Sequence, residues 1–290
     1  MESLEQNRTH YQDVYARVRA GDVVRAARAK AASLDRVIQV HTSWAGLYMG
    51  GFQHRLDGAR VLELGAGDGV NALVMASLGA RVVAIDIAEA SAALVEEAAR
   101  GLGVEDRVQA LTGDFAVMKL PPGSFDFVVG KAFLHHLDPE QEGRYLRKAA
   151  EVLRPEGEAR FLEPACNSLV LDRLRTLVPV PGRPSALARR AYAEWLANDP
   201  HPVRDNSSWH YLEAARRYFG HVEATPLGAL ERFHRLLPRG RMNHAFRRWA
   251  LRAERRFPAP VRLVLARSQT LVFREPLAAR SAGPREAVAR

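Results

Sequence analysis

The sequence predicts an α/β fold with a mostly parallel sheet, on two observations. An apolar run, 61–64, enters a turn with glycine at every second position and is followed by a helical pattern of apolar residues up to Gly79. A second apolar run, 81–85, then ends in Asp86. A strand, a turn, a helix and a second strand in this order are typical of a βαβ unit with parallel strands.

The glycine-rich turn indicates a binding site for a nucleoside. Gly65, Gly67 and Gly69 allow positive φ angles and let a flat, polar ligand approach the backbone. A dinucleotide fingerprint needs a third glycine at position 70, where the chain has Val70. The dinucleotide interpretation is therefore rejected, while Asp86 stands where a ribose would present its hydroxyls.

The stretch ELGAGDG, which begins at Glu63, resembles the S-adenosylmethionine motif of class I methyltransferases. The likeness continues through LTGDF at 111–115, FDFVVGKAFLHHL at 125–137 and EVLRPEGEARFLEP at 151–164, and it covers roughly residues 50–165. It implies a Rossmann-like, seven-stranded, mostly parallel sheet with helices on both faces and an antiparallel seventh strand. It also implies S-adenosylmethionine as cofactor, no metal, and the small-molecule type of enzyme that acts in quinone and secondary-metabolite biosynthesis.

The resemblance assigns a set of cofactor contacts to the ends of the strands. Asp86 would hold the ribose hydroxyls, Asp114 would meet the exocyclic amine of adenine, and Phe115 would cover the ring. Taken singly, Asp86 is equally typical of a helix cap and Asp114 of a turn. The implied cofactor-binding residues are Glu63, Gly65, Ala66, Gly67, Gly69, Asp86, Ile87, Asp114, Phe115, Gly130 and Lys131.

Two histidines are candidate catalytic groups. Methyl transfer requires an acceptor held in line and protected from water, and a base is needed when the acceptor atom carries a dissociable proton. His135 and His136 lie in the loop after the fourth predicted strand, before a helix that Asp138 caps and Pro139 begins. Either could be the base, and a purely structural role for both remains the alternative.

Candidate substrate contacts come from three places. Lys131 and Glu163 end the fourth and fifth predicted strands, so they either face one pocket or neutralise each other. Trp44 and Tyr48 share one face of an N-terminal helix and either line the pocket or anchor the helix. Trp209 follows a long polar loop that is a candidate substrate wall.

The predicted organisation is one catalytic domain with additions. Residues 1–56 read as a helical lid and 57–165 as the cofactor-binding core. Residues 166–275 carry the substrate-side insertions and the last two strands, and 276–290 form a flexible tail.

Composition narrows the class of protein. The chain has 290 residues, 47% of them hydrophobic, and a single cysteine, Cys166, so an intrachain disulfide or a cysteine-based zinc site is excluded. The N-terminus lacks the apolar core of a signal peptide, and we expect a cytoplasmic protein. Tetrapeptides such as NPPY and a Pro-Cys nucleophile are missing, which argues against nucleic-acid methylation.

The positive charge, +9 overall, is concentrated in one segment. Residues 229–262 hold ten arginines against two glutamates. Met242, Phe246 and Trp249 recur at helical spacing opposite most of these arginines. Three interpretations follow: contact with an anionic membrane surface, a clamp on an anionic substrate or RNA, or packing on the sheet with a solvated arginine face.

We therefore predict an enzyme that methylates oxygen or nitrogen of a small organic acceptor. The alternative is a lipid or membrane-associated acceptor reached through the basic helix 241–257. An RNA methyltransferase and a cofactor-binding protein without transferase activity come after it.

Overall fold

The computed structural model describes residues 2–180, 182–197 and 204–277. Residues 278–290, nearly all of the predicted tail, lie outside the described residues. Seven strands are described: β1 Arg60–Leu64, β2 Arg81–Asp86, β3 Val108–Thr112, β4 Phe125–Lys131, β5 Leu153–Pro164, β6 Phe219–Leu227 and β7 Ser268–Pro276. The α-helices are α1 Glu2–Tyr15, α2 Ala20–Ala32, α3 Leu34–Val37, α4 Thr42–Leu47, α5 Val70–Ser77, α6 Glu89–Leu102, α7 Pro139–Val152, α8 Leu169–Leu177, α9 Arg189–Ala197, α10 Ser208–Ala215, α11 Arg241–Ala253 and α12 Ala259–Leu265.

The strands form one sheet in the order β3-β2-β1-β4-β5-β7-β6. The first five strands in this order pair in parallel, whereas β7 runs antiparallel to both β5 and β6. The predicted mostly parallel sheet with an antiparallel seventh strand is confirmed.

Helices cover both faces of this sheet, because its central strands are apolar on both sides. Val61 and Val129 pack into a core with α2, α5 and α6. Their chain neighbours Leu62 and Val128 point the other way, into a second core with α7 and α10. Strands buried on both faces read as continuous apolar runs, and this explains why β1 and β4 are visible in the sequence.

The carboxyl ends of β1, β2, β4 and β5 meet at one edge of the sheet, where open α/β folds bind their ligands. Helix α1 lies across this edge. Its Gln12 side chain accepts a hydrogen bond of 3.0 Å from the Ala90 N–H at the start of α6. Its Asn7 amide donates to the His136 carbonyl at 3.5 Å. The first helix is thus attached on both sides of the edge that it covers.

The buried face of helix α11 is not the one that carries Met242, Phe246 and Trp249. Its buried residues are Asn243, Ala250 and Leu251, whereas Met242 and Trp249 are exposed. Arg247 turns inward and pairs with buried Glu231, its Nε lying 2.6 Å from the carboxylate. Met242 and Trp249, which could have packed on the sheet, therefore face outward.

Candidate functional site

A cavity of about 520 Å³ opens at the carboxyl edge of the sheet, between the glycine-rich turn and α1. One wall, called here the cofactor wall, comes from the ends of β1, β2 and β3: Glu63 to Asp68, Ile85 to Ile87, Gly113 and Phe115. The remaining lining residues, called here the acceptor wall, come from the N-terminal segment, the end of β4 with the loop after it, and α7: Asn7, Tyr11, Val14, Tyr15, Val18, Lys131, Ala132, Phe133, His136, Leu137 and Tyr145.

Two of the turn glycines shape the cavity. Gly65 and Gly67 have φ angles of +67° and +58°, a region that favours glycine. A Cβ at Gly65 would lie 2.5 Å from Phe133 Cδ2, and one at Gly67 would lie 2.9 Å from the Tyr15 hydroxyl. The third turn glycine, Gly69, starts α5 and lies against Val95 of α6, so its contact is one of helix packing.

Glu63 is a buried carboxylate with spare hydrogen-bonding capacity. Its Oε1 accepts from the Asn71 amide at 2.7 Å, and Asn71 in turn accepts from the Tyr48 hydroxyl at 2.9 Å. Among the described residues, Oε2 has no hydrogen-bond partner. Burial raises the pKa of Glu63 to about 7, although Asn71 and Lys131 oppose the shift. A cationic group in the cavity would satisfy this carboxylate.

Asp86 connects the end of β2 to the glycine turn. One carboxylate oxygen accepts from the Gly67 N–H at 2.9 Å and the other from the Ala88 N–H at 3.0 Å. A carboxylate oxygen has two lone pairs, so each can accept a further hydrogen bond from a ligand hydroxyl. Burial raises the pKa of Asp86, and the backbone N–H groups of Ala88, Gly67 and Ile87 oppose that shift.

Asp114 and Phe115 follow β3 but differ in position. Phe115 is fully buried, lines the cavity and packs edge-on against Tyr145, with ring centroids 5.4 Å apart. Asp114 lies beside the lining: its carboxylate accepts from the Ala116 N–H at 2.9 Å and contacts the hydroxyl of Tyr145. Burial and then Asp114 raise the pKa of Tyr145. Phe115, which was expected to cover the adenine ring, thus lines the cavity. Asp114 orders the turn next to it.

Lys131 ends β4, Ala132 begins the loop after it, and both residues line the cavity. The Lys131 ammonium lies 5.2 Å from the Trp44 ring centroid and interacts electrostatically with Glu63. Ala132 has a φ of +57°, which is strained for a residue with a Cβ. Its N–H donates to the Leu162 carbonyl at 2.7 Å, so the neighbouring strand holds it in this conformation.

Glu163 accepts hydrogen bonds from the rest of this loop. Its carboxylate accepts from the N–H groups of Phe133, Leu134 and His135 at 2.9, 2.7 and 3.3 Å. It also shares a 2.7 Å hydrogen bond with His135 Nδ1. Glu163 is therefore directed at the loop backbone and lies outside the cavity lining, whereas Lys131, its expected companion, lies inside it.

Arg204 donates hydrogen bonds to carbonyl groups of the same loop. Its guanidinium donates to the carbonyls of Leu134 and Leu137 at 2.8 and 2.6 Å. It also pairs with buried Glu142 of α7, which His210 contacts at 2.9 Å. The loop that carries the two histidines is thus fixed between a buried anion and a buried cation. Sequence reasoning missed Arg204, because neither its neighbours in the chain nor its spacing indicates its partners.

The two histidines are in different surroundings. The His136 ring lines the cavity, near Tyr11 with ring centroids 5.6 Å apart. The His135 ring is tilted against it, with ring centroids 4.2 Å apart, and is paired with Glu163. Of the two candidate bases, the structure brings His136 to the cavity.

Four other predicted site residues lie outside the lining. Trp44 and Tyr48 are buried and stack on each other at 5.4 Å. Tyr48 acts on the site only through Asn71 and Glu63. Gly130 faces Phe161, which a Cβ would approach to 2.7 Å, and Trp209 is exposed on α10.

The residues of α1 that line the cavity were not predicted. They share one helical face, because Tyr11, Val14 and Tyr15 follow the spacing i, i+3, i+4, and Asn7 precedes them by one turn. Val18 joins the lining from the turn after the helix. This periodicity is present in the sequence and could have identified them, although it is equally typical of a helix that packs on a core.

Comparisons with known proteins agree with this geometry. A family model described as a methyltransferase domain matches residues 61–157. A cypemycin N-terminal methyltransferase from Streptomyces sp is 36% identical over 132 residues, which are 44% of this chain and 51% of that protein. A ubiquinone biosynthesis O-methyltransferase from Xanthomonas euvesicatoria is 40% identical over 106 residues, 36% of this chain and 42% of that protein. The chain thus spans about half the length of these curated relatives.

A solved structure shows the same fold at low sequence identity. It is phosphoethanolamine N-methyltransferase 2 of Haemonchus contortus in complex with S-adenosylhomocysteine, with a TM-score of 0.51 and 15% identity, covering 76% of this chain and 49% of that one. The motifs, the sheet order and these matches lead to one conclusion: residues 61–157 form a methyltransferase domain, within a sheet that has the class I S-adenosylmethionine-dependent methyltransferase fold.

Proposed function

We propose that the protein transfers a methyl group from S-adenosylmethionine to oxygen or nitrogen of a small organic acceptor. The observation that carries the proposal is the cavity at the carboxyl edge of the sheet, whose lining includes Glu63, Lys131 and His136. The matched relatives include an O-methyltransferase and an N-terminal methyltransferase, which supports both acceptor atoms.

The cofactor wall fits the three parts of S-adenosylmethionine. The spare oxygen of Glu63 suits the ammonium of the methionyl part, and the open lone pairs of Asp86 suit the ribose hydroxyls. Ile87 and Phe115 offer apolar surface to the adenine ring, with Asp114 beside them. Gly65 and Gly67 let Phe133 and the Tyr15 hydroxyl approach the turn that would hold the methionyl part.

The acceptor wall supplies the remaining functions. When bound, the sulfonium of S-adenosylmethionine supplies an electrophilic methyl group, so the protein mainly orients the acceptor and excludes water. Helix α1 covers the cavity and limits access of water. His136 would accept the proton of a hydroxyl or phenol acceptor, while an unprotonated amine would not need it. Lys131 would bind an acidic group of the acceptor.

Location and membrane contact remain predictions. No helix within the described ranges is long and apolar enough to span a membrane. The cytoplasmic location and the peripheral contact through the Arg-rich helix 241–257 are proposals, as is the preference for small molecules over RNA.

The test is a transfer assay with methyl-labelled S-adenosylmethionine and an extract that is separated afterwards into small-molecule, lipid and RNA fractions. We expect the label in small molecules, and a fall of about a hundredfold in His136→Ala if the acceptor must lose a proton. His221→Ala, at an exposed histidine of β6, is the matched control and should transfer normally. Label in lipid or RNA, or no transfer, would contradict the proposal.

A further inference from the structure

Two short helices beside the site, α8 and α12, expose apolar side chains. Neither helix contains a buried residue. Leu169 and Val170 of α8 are 80% and 69% exposed. Exposed apolar residues continue along both helices at Leu174, Leu177, Val178, Val261, Leu263 and Val264. We call this surface the α8–α12 face, and exposed apolar groups in such number mark an interaction site.

The two helices form one surface. The Asn167 amide donates to the Leu263 carbonyl at 3.1 Å, and Arg175 donates to the Leu265 and Ala266 carbonyls at 3.3 and 3.4 Å. Helix α8 follows the end of β5, and α12 precedes the start of β7, where Pro164 and Ser268 are paired. The α8–α12 face therefore lies at the edge of the sheet that also carries the cavity.

The same surface is strongly basic. Asp172 is the sole acidic residue in the sequence ranges 166–188 and 258–267. The arginines in these ranges are Arg173, Arg175, Arg183, Arg262 and Arg267. Arg232 also interacts electrostatically with Arg175 and Arg267. Burial, and then the charge of Arg175, lowers the pKa of both Arg232 and Arg267. Guanidinium groups held this close to one another favour an anionic partner.

We propose that the α8–α12 face docks on an anionic membrane surface. Leucine and valine side chains would enter the boundary between headgroups and acyl chains, while the arginines would meet lipid phosphates. A second copy of the chain is a poorer occupant, because a two-fold interface would place this arginine cluster against itself. RNA would use the arginines but gain little from leucine and valine, which offer no ring for stacking. Docking here would turn the cavity edge toward the lipid.

The test is flotation of the full chain with vesicles of equimolar phosphatidylcholine and phosphatidylglycerol, compared with phosphatidylcholine alone. We expect binding to the anionic vesicles that weakens as salt is added, because arginine–phosphate attraction is screened. The triple variant Leu169→Ser, Val170→Ser, Leu174→Ser should bind at least about tenfold more weakly, because three apolar side chains that would enter the lipid are removed. Arg267→Gln, a milder change, should also weaken binding to anionic vesicles.

The matched control is Val117→Ser, because Val117 follows β3 and is 68% exposed, close to the value for Val170. It should bind vesicles like the wild type. The readout does not depend on methyl transfer, so the proposal can fail while the enzyme assignment stands. It is overturned if the wild type binds no anionic vesicle, or if the triple variant binds as well as the wild type. It is also overturned if the wild type sediments as a dimer that the triple variant dissociates.

Discussion

Glu63 and Glu163 are both buried carboxylates at the same edge of the sheet, 2% and 1% exposed, but their surroundings differ. Glu163 is in contact with three backbone N–H groups and the His135 ring. Glu63 accepts from Asn71 and keeps an oxygen that no described residue engages. A carboxylate surrounded by donors orders a loop, whereas one with spare capacity at a cavity suits a cationic ligand.

The walls that these residues support differ in the same way. The cofactor wall is built from the ends of consecutive strands, within residues 63–115. The acceptor wall combines α1 with the loop after β4, and Glu163 and Arg204 hold that loop from distant parts of the chain. Changes at Glu163 should therefore damage the structure, while changes at Glu63 should damage binding.

Glu163→Ala should have the largest effect. It leaves three backbone N–H groups without their acceptor, and each such loss costs about 1–3 kcal/mol, so the free energy of unfolding should fall by at least about 3 kcal/mol. Urea denaturation measures the loss. Glu151→Ala, which removes a partly exposed partner of Lys148, should cost no more than about 1 kcal/mol. Equal losses in the two variants would refute the structural role of Glu163.

Glu63 should make the stability of the cofactor-free protein depend on pH. Its pKa is about 7 in the folded protein and 4.5 as the ordinary value, so the folded state favours the protonated form. The contribution of Glu63 to the free energy of unfolding is fully present below pH 4.5 and is lost as pH rises through 7. The total loss is about 3 kcal/mol. Glu63→Gln should lack this component. The free energies of unfolding of the two proteins, subtracted at each pH, give the result, and a flat difference would contradict the burial argument.

Asp86→Ala should weaken S-adenosylmethionine binding by about tenfold or more, since the carboxylate orders the turn through Gly67 and is proposed to accept from the ribose hydroxyls. Calorimetry measures the affinity. Asp126→Ala is a matched control, because Asp126 accepts from the Arg60 N–H at the opposite end of β1. Equal affinities for the wild type and Asp86→Ala would remove Asp86 from the site.

Ala132→Gly should have the smallest effect and the opposite sign. At φ +57° a Cβ is strained, so glycine should raise the free energy of unfolding by up to about 1 kcal/mol. The same change at exposed Ala93, within helix α6, should lower it by about 1 kcal/mol. If both variants lose stability, the loop does not store strain at Ala132.

The cofactor wall was predictable because its residues are consecutive in sequence. The apolar run, the glycines and Asp86 lie within one βαβ unit, so strand and turn chemistry place them without knowledge of the rest of the chain. The resemblance also brought Lys131 and His136, which line the cavity. The mostly parallel sheet with an antiparallel seventh strand followed from the same likeness and is confirmed.

The acceptor wall was less predictable because its contacts join distant segments. Trp44 and Tyr48 have the spacing of a pocket-lining helix, but both are buried against the core. Tyr11 and Tyr15 have the same kind of spacing and line the cavity. Periodicity identifies a buried face, but it does not say whether a cavity or a core lies against that face.

The most direct test of the account is a calorimetric titration of S-adenosylmethionine into the wild type and into Glu63→Gln, between pH 6 and 8, which brackets the pKa of about 7. We expect one site in the wild type, proton release on binding because a bound ammonium favours ionised Glu63, and an affinity at least about tenfold lower in the variant. The variant should fold as well as the wild type. No binding to the wild type, or equal affinity in the two proteins, would contradict the assignment of this cavity to S-adenosylmethionine.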